Sequence, residues 1–278
     1  MDAHLIMDAH LLKKENILKV NILAPFIKRY RYKKSLNVLS EQTRPLIPSS
    51  ILFANGKALL IKNPKSATTS LAESIFWWET GRHFKGENIH GDRSLKQGIH
   101  NYPRLVEGML DESCLKVTVV RDPLSRCVSG FKNFVLAQNN ISAKRHIPFL
   151  KKLGLVESSD ASKSYDIFLD YIQLCKELSV KRMDPHFRPQ IYNLRPDLVK
   201  YGFIGRVEHL GADIKKLEMR LGLKSINQNL QQQEQIKANP SRVKFEPSQQ
   251  QRIRTNDLFS EDYNWLKSLF PGEYEPKD

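Results

Sequence analysis

A chain of 278 residues, 40% hydrophobic and 27% charged, is long enough to bury a full core and has the composition of an ordinary globular protein. Its formal net charge of +14 and pI near 9.6 call for an anionic partner, and charge alone does not choose among nucleotide, nucleic acid, sulfated or acidic glycan and membrane surface. Three cysteines, Cys114, Cys127 and Cys175, stand at unrelated spacings that exclude both a disulfide framework and a zinc pattern and suit a reducing compartment.

The first residues repeat, MDAHL at Met1 to Leu5 and again at Met7 to Leu11, and carry no assigned function. The apolar stretch Ile17 to Ile27 is interrupted by Lys19 and Asn21 and is too short to span a bilayer, and it has no charged leader with a small-residue cleavage site. Lys28, Arg29, Arg31, Lys33 and Lys34 then interleave with Tyr30 and Tyr32, a run expected to be a solvated arm with peripheral membrane or glycan contact as the alternative. Residues 1–50 are taken as an N-terminal basic extension and 51–278 as the main domain.

The central stretch is KALLIKNPKSATTSL, Lys57 to Leu71. Its apolar run predicts a buried strand over 57–62, and the Pro and small hydroxyl residues after it predict a tight loop opening a helix over 69–79. A helix start rich in Ser66, Thr68, Thr69 and Ser70 directs unpaired N–H groups and the positive dipole end at one point, where Lys65 adds a full charge, so phosphate or sulfate is the expected guest. Residues 81–98 are polar and read as a loop over a site, with His90 and His100 near its ends.

LKVTVV, Leu115 to Val120, predicts a second strand, followed at once by RDPLSRCVSGF and a helix over 124–138 with Pro near its first turn. Ser125 and Ser129 share a face of that helix, and Arg121 at the strand's end can converge with Ser129 on one anion. Two strand ends that each present anion-binding groups imply a parallel sheet with its ligand at the carboxyl edge. An ordinary P-loop ATPase or kinase is disfavoured, because Asn63 to Ser70 contains no glycine where GxxxxGK is required.

KNPKSATTSL followed about fifty residues later by VVRDPLSRCVSGF resembles the two signatures of PAPS-dependent sulfotransferases, in particular the carbohydrate and uronyl 2-O-sulfotransferase branch. The resemblance implies an α/β fold, a P-loop-NTPase-like parallel sheet flanked by helices in a single sulfotransferase domain. It implies that Lys65, Ser66, Ala67, Thr68, Thr69 and Ser70 hold the 5′-phosphosulfate of 3′-phosphoadenosine-5′-phosphosulfate (PAPS), and that Arg121 and Ser129 hold its 3′-phosphate. Sulfuryl transfer is mostly alignment and charge stabilisation, so no metal is demanded and Lys65 is placed to stabilise the leaving phosphate oxygen. The resemblance also gives a histidine some twenty residues before RDP the role of general base, which falls to His100. His90 is the reserve and Glu87 and Asp92 are carboxylate alternatives; the family's HGH pair is not reproduced at His100.

Further on, Asn139 to Asp160 reads as an acceptor-facing insertion, and the apolar stripe within Tyr165 to Leu178 as a helix packing on the sheet. DPHFRPQ, Asp184 to Gln190, resembles a loop of the carbohydrate branch, in which His186 and Arg188 either face substrate or serve the loop. YGFIG at 201–205 predicts a third strand, followed by a helix from Arg206 to near Leu221; FIGRVEHL resembles the family's GRxE segment, with Arg206 and Glu208 each open to a donor-positioning or a structural role. Asn227 to Gln235 is a Gln-rich loop. Arg242 and Lys244 are candidates for the nucleotide's 3′-phosphate although the RKxxRG-like signature is absent, and residues 247–269 predict a structural helix pair containing Asp262 and Tyr263.

The expected activity is sulfuryl transfer from PAPS to a hydroxyl of a carbohydrate or carbohydrate-bearing small molecule, by a chain expected to be cytoplasmic. The competing reading is a basic protein that binds anionic glycan or nucleic acid on an inactive scaffold of the same kind, though no RNA or DNA module is recognisable.

Overall fold

The computed structural model describes residues 17–86, 88–92, 94–137, 143–156, 160–225 and 244–276. They fall into two compact units, one holding residues 17–120 and 194–225, the other residues 121–193 and 244–276.

The first unit carries the sheet. Strands β1 (Ser50–Phe53), β2 (Ala58–Ile61), β3 (Leu115–Val120) and β4 (Phe203–Arg206) lie in the order β1-β2-β3-β4. β2, β3 and β4 are parallel, with Leu60 opposite Val117 and Val119 opposite Gly205. The expected parallel sheet therefore stands, with an antiparallel edge: Ser50 to Phe53 pair with Ile61 to Ala58. The reversal is made by Ala54, Asn55 and Gly56, all at positive φ, a turn short enough to force antiparallel pairing.

Every residue of β1 and β2 is buried because both faces of the sheet are covered. Ile51, Phe53, Ala58, Leu60, Val117 and Val119 cluster with Leu71, Ala72 and Ile75 of the helix Thr68–Thr80 and with Ile214 and Leu217 of the helix Leu210–Leu221. On the opposite face Leu52 and Leu59 meet the helix Tyr102–Leu110 at Gly108, where an added Cβ would stand 2.9 Å from Leu52 Cδ1. Parallel pairing puts the carboxyl ends of β2 and β3 at one edge. There β2 leads into the Lys62–Ala67 loop, and there the chain leaves the sheet at Val120.

Leu39, Leu46 and Ile47 are buried, so residues before position 50 lend side chains to this unit. The basic run expected as an arm is instead the helix Lys28–Lys34. Its residues are exposed or half-buried; Tyr32 meets the His100 ring edge-on at 6.2 Å, and Lys28 and Lys33 lie over Tyr32 and Tyr30. Among the described residues no helix is long and apolar enough to cross a membrane.

The second unit is helical around an aromatic core. Phe131 packs on Tyr165 and Phe245, with ring centroids 4.9 Å away in each case, and Phe134, Phe168 and Phe187 complete the cluster. The apolar stripe of the helix Ala161–Ser179 buries Tyr165, Phe168, Leu169, Tyr171, Ile172 and Cys175 in this core and not on the sheet, because the residues that meet it come from the RDP-motif helix and its continuation. The helix expected over 124–138 is α-helical only from Pro123 to Phe131 and continues as π-helix over Lys132–Leu136, closed by the Ala137 N–H donating to Lys132 O at 2.9 Å. The expected C-terminal pair is present as Gln249–Leu258, opened by a Ser248/Gln251 capping box, and Ser260–Leu269. Cys114, Cys127 and Cys175 are buried free thiols.

Candidate functional site

The loop after β2 is shaped by two non-glycine residues in left-handed backbone, Lys65 at φ +68° and Ala67 at φ +55°. Each such residue costs about 1–2 kcal/mol, so the surrounding structure must hold them. Asn63 is the holder: it is 2% exposed, and its Nδ2 donates to Ser66 Oγ at 3.0 Å and to the Val119 carbonyl of β3 at 3.2 Å. The Ser66 N–H also donates to Asn63 O at 3.1 Å. Ser66 is fully buried, and both its hydroxyl and its N–H are used to build the loop.

The helix Thr68–Thr80 starts from Ala67, which has no side-chain group to cap it. Alanine is among the poorest N-cap residues, and the amides of Thr68, Thr69 and Ser70 have no intrahelical acceptor. Leu71 is the first to be satisfied, by Ala67 O at 3.0 Å. Two left-handed residues leading into a helix with no side-chain cap leave amides at its start that suit an anion.

The loop between residues 81 and 101 is pinned by Ile89 and Leu95, both buried in the sheet core. That anchoring brings His90 Nε2 to 3.2 Å from Thr69 Oγ1. The His90 carbonyl accepts from Gln97 Nε2 at 2.8 Å, and Gln97 Oε1 accepts from Lys62 Nζ at 3.0 Å, so β2, the loop and the helix start are laced together. Burial lowers the Lys62 ammonium below the ordinary lysine range. His100 closes a short turn at Ile99–Asn101, exposed, with its ring against Tyr32. Asp92 turns inward on its own loop and accepts from the Ser94 N–H at 2.8 Å and Ser94 Oγ at 2.5 Å, which holds its carboxyl below the usual range. Glu87 lies outside the described residues.

In the second unit Asp122 caps the RDP-motif helix by accepting from the Ser125 N–H at 2.8 Å. Ser125 and Ser129 are half-buried on one face, as their spacing predicts, and Lys132 is half-buried one turn on; Arg126, Cys127, Gly130 and Phe131 face the core. Arg126 is 1% exposed and donates to the carbonyls of Arg188 at 2.9 Å and Pro185 at 2.7 Å; burial lowers it to about 10, which leaves it charged at neutral pH. Tyr263 OH donates to Asp122 Oδ2 and accepts from the Leu124 N–H, both at 3.3 Å.

The DPHFRPQ loop is organised by Asp184. Its Oδ1 accepts from the His186 N–H at 2.9 Å and lies 2.7 Å from His186 Nδ1, and its Oδ2 lies 3.2 Å from Nε2 of buried His146. Burial alone would raise Asp184, but the hydrogen bonds of the two histidines outweigh it and hold the carboxyl well below the carboxylate range. Arg188 Nε donates to Asn193 Oδ1 at 2.7 Å, so both residues singled out in this loop serve it. Arg206 grips Asp213 with Nε and NH2 at 3.1 Å each and with its own N–H at 2.9 Å, a structural pairing that joins β4 to the next helix. Glu208 is exposed in the short turn Val207–His209, and Lys244 is exposed; Arg242 lies outside the described residues.

Residues 49–267 match a family described as the sulfotransferase family. Carbohydrate sulfotransferase 12 of Xenopus laevis is 30% identical to the chain over an alignment of 173 residues, and the match covers 56% of this chain and 37% of that protein. No solved structure matches the chain.

Proposed function

Because the chain belongs to the sulfotransferase family, we propose that it transfers a sulfuryl group from PAPS to a hydroxyl of a carbohydrate or carbohydrate-bearing small molecule. The observation that carries this reading is the uncapped start of the helix Thr68–Thr80, entered through left-handed Lys65 and Ala67 and laced to His90. The backbone amides of residues 67–70 and the hydroxyls of Thr68 and Thr69 bind the donor's 5′-phosphosulfate. Arg121 and Ser129 bind its 3′-phosphate, a role that rests on motif order and on the half-buried face of the RDP-motif helix.

In the reaction the acceptor oxygen attacks sulfur, the bond from sulfur to the bridging phosphate oxygen breaks, and the electron pair stays on that oxygen. The Lys65 ammonium offsets the charge that develops there. The acceptor proton passes to a histidine. The family resemblance favours His100, but the 3.2 Å contact with Thr69 supports His90, which we assign as the base.

Calorimetric titration tests the donor site. Saturable, metal-independent binding of 3′,5′-adenosine bisphosphate, tighter than 5′-AMP and Mg-ATP, is the expected result, followed by acceptor screening with labelled PAPS. Preference for Mg-ATP would replace this reading with phosphoryl transfer, and absence of nucleotide binding would leave an anion-binding scaffold.

A further inference from the structure

Arg121 follows the last residue of β3, so its peptide has left the ladder that orders Val120. Both of its backbone groups are nevertheless taken, by one side chain. The Arg121 N–H donates to Gln190 Oε1 at 3.0 Å, and Gln190 Nε2 donates to the Arg121 carbonyl at 2.8 Å. A carboxamide that pairs with the N–H and C=O of one residue does what a neighbouring strand would do, and it restricts φ and ψ of that residue together.

Gln190 is itself fixed. It is 0% exposed and opens the short helix Gln190–Leu194; its N–H donates to Asp262 Oδ2 at 2.8 Å, and the Ile191 N–H donates to Asp262 Oδ1 at 2.9 Å. Asp262 is also 0% exposed, and the residue after it, Tyr263, holds Asp122. The Arg126 guanidinium ties down the carbonyls of Pro185 and Arg188 just before Gln190. Gln190 meets the Arg121 backbone directly, and buried Asp262 and Arg126 brace the segment that carries it, at the residue whose side chain the donor-site reading assigns to the 3′-phosphate.

We propose that Gln190, seated on Asp262, is a positioning residue that sets the direction of the Arg121 side chain and thereby the enzyme's selectivity for nucleotides carrying a 3′-phosphate. The proposal rests on the donor-site reading above. Gln190 touches no substrate, and its contribution passes entirely through Arg121.

The test is calorimetric, on the full chain, with 3′,5′-adenosine bisphosphate and 5′-AMP as probes. Gln190→Met keeps length and volume and removes both hydrogen bonds. It is expected to weaken bisphosphate binding about 3- to 15-fold, the range for one to two hydrogen bonds, with 5′-AMP changed less than about twofold. In an Arg121→Ala background the same substitution should cause no further loss, since the only route of its effect is gone. Gln190→Asn keeps a buried amide one methylene too short to bridge both groups, and serves as the second variant should the methionine disturb the fold; thermal melts confirm that each variant is folded. Equal weakening of both nucleotides, or a loss that multiplies with that of Arg121→Ala, would overturn the proposal as mere structural damage. If Arg121→Ala fails to discriminate the two nucleotides, the donor-site reading falls first and this inference with it.

Discussion

Lys65 is held with its backbone in a left-handed turn two residues ahead of Ala67, from which the helix Thr68–Thr80 starts. A charge placed for the leaving oxygen acts mainly in the transition state. Lys65→Ala is therefore expected to lower kcat by about 10²-fold or more, the scale of losing one preorganised donor, while bisphosphate affinity falls far less. Parallel single-turnover and calorimetric measurements check this, and near-normal turnover would remove Lys65 from the chemistry. The histidine assignment is decided by pH. A histidine base works only as neutral imidazole, so kcat/KM climbs with pH and levels off; His90→Ala should abolish the climb and His100→Ala should retain it. The opposite pattern returns the role to His100. At Ala67, φ +55° penalises any side chain, so Ala67→Gly is expected to stabilise the fold by up to about 1 kcal/mol in a denaturant melt. A loss of stability there would mean that the left-handed turn is not adopted without ligand.

At the scale of elements, the Asp184 cluster joins the DPHFRPQ loop to His146 of the helix Ala143–Lys152 and, through His146 Nδ1, to Tyr171 OH at 2.8 Å. A carboxyl depressed in the folded state contributes stability above its unfolded pKa of about 3.9 and loses it as pH falls below that value, because the unfolded chain then binds the proton more readily. Urea midpoints should accordingly drop below about pH 4 more steeply in the wild type than in Asp184→Asn, which is less stable at neutral pH but has no such proton to bind. Equal slopes would mean that Asp184 gains nothing from its two histidines. Elements of this kind were only partly legible in the sequence. β2 and β3 could be read from continuous apolar runs, and a C-terminal helix pair was expected over residues 247–269. β1 could not, since four residues after a proline-containing stretch carry too little pattern to announce a strand. Long-range contacts were not legible at all: the loop histidine that meets Thr69 is set by where Ile89 and Leu95 anchor, and Gln190 meets Arg121 across 69 positions by a pairing no local motif encodes. Arg206, ambiguous in the sequence, is resolved by a partner seven residues on.

For the whole molecule, a net charge of +14 raises the local concentration of any polyanion, whether or not the polyanion is a substrate. The competing reading, a basic binding protein, predicts that all association follows this charge. The enzymatic reading separates two contributions. Donor binding depends on a built array of amides and on Arg121, held by buried Gln190, and such short contacts are screened weakly. Approach of an acidic acceptor, in contrast, is steered over distances comparable with the Debye length, about 8 Å at physiological ionic strength, and is screened strongly. The expected result is that raising salt from low to physiological ionic strength lowers kcat/KM for a uronate-bearing or sulfated acceptor several-fold and leaves kcat for the bound complex nearly constant. A neutral acceptor of the same size should show little change in either. Rates measured at saturating PAPS with the matched pair of acceptors check this. If nucleotide binding and heparin binding instead fall together along one salt slope, both are responses to diffuse charge, and the amide array at Thr68 to Ser70 is not the anion site proposed for it.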